Sequence, residues 1–421
     1  MKNTILTIAS ILANGLLMAS TGIDQSFADT SKNVKTEHAP KKEWYQTVSL
    51  KGYTQVRYNR FMETNPSLNC PACDNSIGNN SGIYLRRVRI TVSGQIHPRV
   101  YFYTQTEMAQ GINSNKDLNF GQLRDAYMDL GMDDNNEFRI RLGLSKVPYG
   151  FTNMQSSQNR LNLDRDEAIN SAVPNERDFG AFLYYTPKAK KDLYTKINKD
   201  GLKGSGDYGL LAFGYYNGQT SNKAEENNNM HVVGRATYPF EIGSQIIEAS
   251  VQGYTGAWTM PTANLTSKVA VKNGEKSNYT YNNRTYTDQR VAGTLVVYPK
   301  PFGLQVEYNM GTSPGYSAKD TAITQQNIKG GSALLSYRYV YNNQVFFPFV
   351  RYTVYQGGKK LELDARYYDV KELEFGIEWE PVKQFELTVA YNMAQRNTSD
   401  FAKPINNQKG NFLRLQAQIN F

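Results

Sequence analysis

The side chains most often used for catalysis and metal binding are rare in this chain. Its 421 residues include only three histidines, His38, His97 and His231. No two of them have the spacing of a metal site, and none lies in a pattern typical of a Ser-His-Asp hydrolase. The sequence also contains no glycine-rich nucleotide motif. We therefore expect each histidine to be an ordinary surface residue, and we predict no catalytic residue, no metal site and no cofactor.

The two cysteines form a CxxC motif, Cys70-Pro71-Ala72-Cys73. In a cytosolic fold this spacing is typical of a redox pair. Here we place the motif in the first external loop of an exported chain, where a small structural disulfide is the better interpretation. Metal binding would need two further ligands, and none is close in sequence.

Charged side chains offer a different chemistry, the attraction of ions. The chain has 47 basic and 38 acidic residues and a net charge of +9. This balance suits an anion-attracting cavity and would equally permit a nucleic-acid partner, so it decides nothing alone. The spacing of the charges is more informative than their number.

Several basic residues recur at alternate positions. Residues two apart lie on the same face of an extended strand. This parity places six basic residues on one polar face: Lys51, Arg57, Arg87, Arg89, Arg139 and Arg141. Such a basic wall would favour anions in a narrow pore with walls of low dielectric constant. Alternatively, these residues are merely tolerated on a wet face and pair with Asp125, Asp129 and Glu107 on neighbouring strands.

In the segments that carry these charges, apolar and polar residues alternate with a period of two residues. Strands with one face in lipid and one in water alternate apolar and polar residues over about ten positions. The stretch 372–380 is a clean example, with Leu373, Phe375, Ile377 and Trp379 opposing Glu372, Glu374, Glu378 and Glu380. A soluble sheet also alternates, but it seldom combines such long strands with so many aromatic residues near their ends. That combination is typical of a membrane barrel with interfacial aromatic girdles.

Sixteen segments show this pattern, an even number as expected for a closed outer-membrane barrel. They are 45–61, 83–93, 99–110, 121–132, 137–145, 179–186, 207–217, 230–240, 245–257, 286–298, 301–312, 329–341, 345–355, 369–380, 384–394 and 411–421. Short turns alternate with long polar loops, which include 313–328. The connection 187–206 breaks the rule, because it falls on the short-turn side and is long and Lys-rich. We predict an all-β fold, a 16-stranded antiparallel transmembrane β-barrel.

The two ends of the chain indicate export to the outer membrane. An apolar stretch over 5–19 and the small residues Ser26 and Ala28 are typical of a signal peptide over 1–28. Residues 29–43 read as a flexible periplasmic linker, which leaves 44–421 for the barrel. The last segment alternates and ends on Phe421, which resembles the signal read by the outer-membrane assembly machinery.

Five motifs carry a resemblance to a known family. They are 52–58 (GYTQVRY), 85–90 (LRRVRI), 123–128 (LRDAYM), 141–150 (RLGLSKVPYG) and 177–180 (RDFG). The chain resembles the phosphate-selective porin O and P family over roughly 50–185 and at the C-terminus. The resemblance implies a trimer of 16-stranded barrels, each a passive channel whose third extracellular loop folds into the lumen.

The resemblance also singles out residues around the constriction. The positions that match its motifs there are Arg87, Arg89, Arg139, Arg141, Lys146 and Arg177. The candidate constriction loop, 146–178, has four basic and five acidic residues, which fits a transverse field better than a purely basic ring. The four glutamates of 372–380 on one lumen face also oppose a strict anion filter.

Together these features predict an outer-membrane porin of a Gram-negative-type bacterium. We expect passive diffusion of small hydrophilic or anionic solutes through a homotrimer embedded in outer-membrane lipid, with no nucleic-acid partner. A preference for anions such as phosphate stays open. The alternatives are a surface receptor or adhesion barrel with a plugged lumen, and an enzyme built on a barrel, which the scarcity of histidine disfavours.

Overall fold

The computed structural model describes residues 43–61, 82–108, 121–272 and 284–421. The predicted signal peptide, the linker except for Glu43, His38 and the CxxC motif lie outside the described residues. Among the described residues, no helix combines the length and the apolar character that crossing a bilayer would need.

Sixteen long antiparallel strands form one closed sheet, as predicted. In chain order, β1 to β8 are Ser49–Phe61, Gly82–His97, Val100–Glu107, Gln122–Gly131, Phe138–Lys146, Arg177–Tyr185, Leu211–Tyr216 and His231–Ile242. Strands β9 to β16 are Gln245–Thr259, Thr285–Val297, Phe302–Ser317, Ala322–Tyr337, Gln344–Gly358, Tyr367–Val382, Phe385–Ser399 and Asn406–Asn420. Tyr339–Tyr341 continues β12 along β13, and the two-residue strand Ala270–Val271 pairs in parallel with β12.

Each strand pairs with its neighbours in sequence, and β16 pairs with β1 to close the ring. Three described helices lie in the connections: α1 (Phe151–Met154), α2 (Glu167–Asn170) and α3 (Lys188–Lys199). Short 3₁₀ turns occupy Trp44–Thr47, Thr262–Asn264 and Leu363–Ala365. All sixteen predicted segments overlap an observed strand, so the predicted barrel is confirmed.

The two faces of the barrel have opposite character. On β14, Phe375 and Ile377 are 47% and 43% exposed, whereas Glu374 and Glu378 are 2% and 1% exposed. A water-soluble sheet would hide the apolar residues and expose the acids. The inversion places lipid outside the barrel and polar groups on its inner face.

Two connections differ from the sequence-based picture. The predicted long loop 313–328 is mostly strand, because β11 and β12 keep pairing as far as Ser317 and Ala322. A strand that extends beyond the lipid band needs no apolar face there. The alternation of apolar and polar residues therefore ends, although the backbone hydrogen bonds to the neighbouring strand continue. The irregular connection 187–206 is an elaborated turn that contains α3, and no strand is miscounted there.

Gly52 lies at the seam where the ring closes. Its backbone exchanges two hydrogen bonds with Phe421, at 2.8 and 2.9 Å. A Cβ on Gly52 would lie 2.5 Å from the Arg89 carbonyl oxygen and 2.5 Å from Cζ of Phe421. The missing side chain therefore allows the first, second and last strands to meet.

We expect Gly52→Val to destabilise the closed barrel by about 1–3 kcal/mol, a typical cost of overpacking. The measurement is the fraction of refolded protein that runs as the compact, heat-modifiable form on a gel. Gly293→Val is the matched control, because a Cβ on this glycine of β10 would have no atom within 4 Å. Equal folding of both variants would contradict the role of Gly52.

Candidate functional site

The connection between β5 and β6, residues 147–176, contacts the inner face on the far side of the barrel. We call it the inward segment. On β10, Arg290 donates to the Ala168 carbonyl at 3.1 Å, and on β15, Arg396 pairs with Glu167 at 3.0 Å. Strand β10 lies four positions from β6, and β15 lies six positions from β5, in the ring of sixteen, so these contacts require the segment to cross the interior.

The barrel wall satisfies the helix ends of this segment. Glu307 of β11 accepts the backbone N–H groups of Phe151 and Thr152, at 2.5 and 2.9 Å, at the start of α1. Asp166 caps α2 by accepting the Ile169 N–H at 2.9 Å. A four-residue helix leaves most of its backbone groups unpaired, so these partners fix where the segment lies.

The inward segment also packs against an apolar patch on the opposite wall. Leu161 and Leu163 are buried against inner-face residues of β12, β13 and β15, which are Leu334, Phe347, Phe349 and Ala390. Burial of apolar area adds stabilisation of about 25 cal/mol per Å². This contact anchors the middle of the segment without using charge.

Asp164 is the charged anchor of the segment. Its carboxylate pairs with Arg57 of β1 at 3.2 Å, with Arg86 of β2 at 3.5 Å and with Arg414 of β16. All four side chains are largely buried. One acid of the segment therefore ties together three strands that flank the seam of the ring.

Beside this anchor lies a group of cations that share few acids. We call it the basic cluster: Arg87, Arg89, Arg124, Lys146, Arg160, Arg165 and Arg177, with Glu107, Asp125 and Glu176. Glu107 faces three arginines, at 2.8 Å from Arg89, 3.3 Å from Arg124 and 3.8 Å from Arg87. Arg177 pairs with Asp125 at 2.9 Å.

Glu176 of the inward segment serves the other cations of the basic cluster. It lies 2.5 Å from Arg177, 3.1 Å from Arg165 and 3.5 Å from Lys146. Burial alone would raise the pKa of Glu176, but these cations hold its pKa well below the usual range. The carboxylate is therefore charged, and seven cations facing three anions leave the basic cluster a net charge of +4.

Arg160 is the least satisfied member of the basic cluster. It is 3% exposed, and no described residue accepts a hydrogen bond from any of its three guanidinium nitrogens. Its nearest carboxylate oxygen, on Glu176, is 3.8 Å away. Burial lowers the pKa of Arg160 to about 10, so the side chain stays charged at neutral pH. A buried cation without an acceptor is suited to receive an anion.

Two β-bulges add arginines that strand parity does not predict. The pairing of β1 with β2 passes over Arg86, and the pairing of β3 with β4 passes over Arg124. Each bulge inserts one extra residue and reverses the alternation beyond it. Arg86 and Arg87 are therefore both turned inward, as are Arg124 and Asp125. In the sequence, two adjacent charged residues follow outward-facing Leu85, and two follow outward-facing Leu123. These pairs are the signal that could have indicated the bulges.

The predicted site residues divide into three groups. The structure brings Arg87, Arg89, Lys146 and Arg177 together in the basic cluster, and it places Arg57 on Asp164. Sequence reasoning counted Arg160 and Arg165 only among the charges of the loop 146–178, and it did not single out Arg86, Arg124 or Arg414. The positions of these residues depend on bulges, on the inward segment or on closure of the ring.

The other three predicted residues lie near the short-turn end. Arg139 pairs with Asp207 at 2.9 Å. Arg141 donates two hydrogen bonds to the carboxylate of Asp129, at 2.7 and 2.8 Å. Lys51 is exposed near the start of β1. Arg141 and Asp129 on adjacent strands form the kind of wall pair that the alternative interpretation describes.

The glutamates of 372–380 pair with basic residues from adjacent strands and from the connection between β6 and β7. Arg351 pairs with Glu374 at 2.7 Å, and Arg396 pairs with Glu372. Lys203 pairs with Glu378 and Glu380, at 2.5 and 2.6 Å. Each of the four carboxylates therefore has a basic partner, but Glu378 and Glu380 share one lysine, so this face keeps an excess of negative charge.

His231 is not a surface residue, contrary to the prediction. It is fully buried, and its Nε2 lies 3.4 Å from Asp288. His231 is the first residue of β8. Its imidazole ring packs against Gly218 and Gly256, where a side chain on either glycine would occupy the same space. His97 lies exposed at the end of β2, as expected.

Comparisons with known proteins agree with this architecture. The family described as phosphate-selective porin O and P matches residues 67–421. A comparison with curated proteins finds no match. Among solved structures, the chain is similar to the outer membrane channel DcaP of Acinetobacter baumannii and to OmpF of Salmonella typhi in complex with daunomycin. Each is 12% identical with a TM-score of 0.52, over 89% of this chain and 97% of the other, so the likeness concerns the fold.

Proposed function

The chain belongs to the phosphate-selective porin O and P family, and from that membership we propose that the basic cluster gives this porin a preference for small anions. The family and the fold are those of outer-membrane channels, so the predicted family, function and location are confirmed. The observation that carries the proposal is Arg160, a buried cation that lacks an acceptor among the described residues.

The mechanism is passive and depends on the field inside the barrel. An anion entering the lumen loses part of its hydration, and cations at a narrow point replace that water. The net charge of the basic cluster raises the local concentration of anions there. The inward segment turns Arg160 and Arg165 toward the wall, where Arg165 shares Glu176 with Lys146 of β5. The segment narrows the passage at the same level.

A phosphate or another small oxyanion suits this arrangement. Arg87 and Arg124 share Glu107, at 3.8 and 3.3 Å, and Arg160 lies 3.8 Å from Glu176. Arginine binds oxyanions with paired hydrogen bonds. Because many cations share few acids, an anion can move from one arginine to the next without leaving a favourable field. Passage requires sites that are weak and multiple, and the basic cluster offers several.

We further propose that the functional unit is a homotrimer in outer-membrane lipid. The proposal rests on the family, whose resemblance implies a trimer of 16-stranded barrels. Chemical cross-linking of the protein in native outer-membrane vesicles should give a ladder that ends at three copies.

The test of the proposed function is a recording in a planar bilayer under a salt gradient. The expected result is stepwise currents whose reversal potential favours chloride over potassium, with a smaller current when phosphate replaces chloride because phosphate binds longer. A reversal potential that favours potassium would contradict the anion preference. Electrical silence of the folded protein would support a receptor with a plugged lumen instead.

A further inference from the structure

The connection between β6 and β7 is unlike the other turns at its end of the barrel. It comprises residues 186–210, and we call it the strap. The described turns at the same end leave only two to six residues between strands. A connection of this length is not needed to join two neighbouring antiparallel strands, so the strap has another use.

The first half of the strap is a helix that packs against the inner wall. Leu193, Tyr194 and Ile197 of α3 are buried in an apolar cluster with residues of β9, β10 and the inward segment, which are Ile246, Val296 and Phe151. The same face of α3 is also tied to the rim. Lys190 donates to the Pro239 carbonyl at 2.7 Å. Half of the strap is therefore fixed by packing.

The second half of the strap runs beneath the inward segment. Gln155 donates to the Lys203 carbonyl at 2.7 Å, and Asn159 donates to the Gly204 carbonyl at 3.4 Å. The strap then returns to the wall, where Asp207 pairs with Arg139. The two crossing segments are thus stacked along the axis of the barrel.

Lys203 fixes the far end of the strap. Its ammonium lies 2.5 Å from Glu378 and 2.6 Å from Glu380, both on β14, and Glu386 of β15 belongs to the same carboxylate group. Strand β14 lies eight positions from β6 in a ring of sixteen, which is directly opposite. Lys203 also has a φ of 59°, a left-handed conformation that costs a non-glycine residue roughly 1 kcal/mol, so its contacts must hold it there.

We infer that the strap is a second constriction of the pore, and that the ion pairs of Lys203 with Glu378 and Glu380 are the latch that keeps it across the lumen. This inference rests on the proposed function, because it presupposes a conducting lumen. Solutes that pass the basic cluster meet the strap next. The latch therefore helps to set the size limit of the channel, in addition to the inward segment.

The latch also sets the charge of the lower lumen. Counted by formal charge, three carboxylates share one ammonium, which is an excess of two negative charges, whereas the basic cluster has an excess of four positive charges. An anion leaving the basic cluster therefore meets a weakly repulsive zone. Without Lys203, the three carboxylates would be uncompensated and the short-turn half of the lumen would attract cations.

Charge exchange tests the latch in planar bilayers. We expect Lys203→Glu to increase single-channel conductance roughly twofold, because the strap loses its anchor and the pore widens, and to weaken the anion preference. The double variant Lys203→Glu/Glu378→Lys restores an ion pair at the same position with the wild-type net charge. It should return both conductance and reversal potential toward wild type.

Lys199→Met is the matched control, because this exposed lysine lies on the same connection outside the latch. Lys203→Met serves if the charge reversal prevents assembly, which heat-modifiable gel mobility reports. An unchanged conductance in the folded Lys203 variants, or no recovery in the exchanged pair, would overturn the inference. If the wild type conducts with anion preference in that case, the proposed function stands alone; a silent wild type overturns both.

Discussion

Replacing Arg160 by glutamine is expected to reduce the chloride-over-potassium permeability ratio by about fourfold or more. A unit charge roughly 5 Å from a passing ion changes its energy by about 0.8 kcal/mol in bulk water, and by more where the dielectric constant is lower. Glutamine is shorter than arginine but keeps a polar side chain that can donate hydrogen bonds, and it removes the charge. The reversal potential in a potassium chloride gradient measures the effect.

Arg99→Gln provides the control for this experiment. Arg99 lies at the short-turn rim with its side chain 45% exposed and paired to Asp134, where water and salt screen its field. The same loss of charge there should leave the permeability ratio within experimental error. If both variants shift the ratio equally, the total charge of the protein sets selectivity and Arg160 has no special role.

Replacing Asp164 by asparagine is expected to release the inward segment from the seam of the barrel. The carboxylate is the shared partner of Arg57, Arg86 and Arg414, and breaking a buried ion pair by removing one partner costs about 3–5 kcal/mol. The remaining arginines would repel one another across the place that Asp164 occupied. We expect a larger and noisier single-channel conductance and a lower melting temperature of the heat-modifiable form.

The matched control is Asp134→Asn, which removes the same charge from an acid whose side chain is 91% exposed. An exposed ion pair contributes about 0–1 kcal/mol, so this variant should conduct and melt like wild type. If the folded Asp164→Asn variant gives currents as large and as free of noise as those of the wild type, the apolar packing of Leu161 and Leu163 alone holds the inward segment in place.

Part of the candidate site was predictable because it lies on regular strands. Arg87 and Arg89 follow the alternation of β2, and each contacts the neighbouring strand across one ladder. Lys146 and Arg177 came from motifs of the family that the chain resembles. Arg86 and Arg124 were not predictable by strict parity, since a bulge moves each of them to the other face, and the pair of adjacent charged residues is the sequence mark of that bulge.

The pairing of charges was the least predictable feature. The glutamates of 372–380 form an acidic face in the sequence, yet each of them pairs with Arg351, Arg396 or Lys203. Arg351 and Arg396 lie on the strands next to β14, and their pairing depends on register. Lys203 comes from a connection that begins half a ring away, so no local pattern could have linked it to β14.

The amino-acid sequence by itself determined that this chain forms a barrel and how many strands it has. Because lipid lies outside the barrel and water inside it, apolar and polar residues must alternate along every strand. Each of the sixteen segments therefore carries its own local signal for a strand. Only the tertiary structure decided which charges meet in the lumen and where the strap crosses it. Those contacts join residues that closure of the ring brings face to face, and ring closure is a property of the whole sheet.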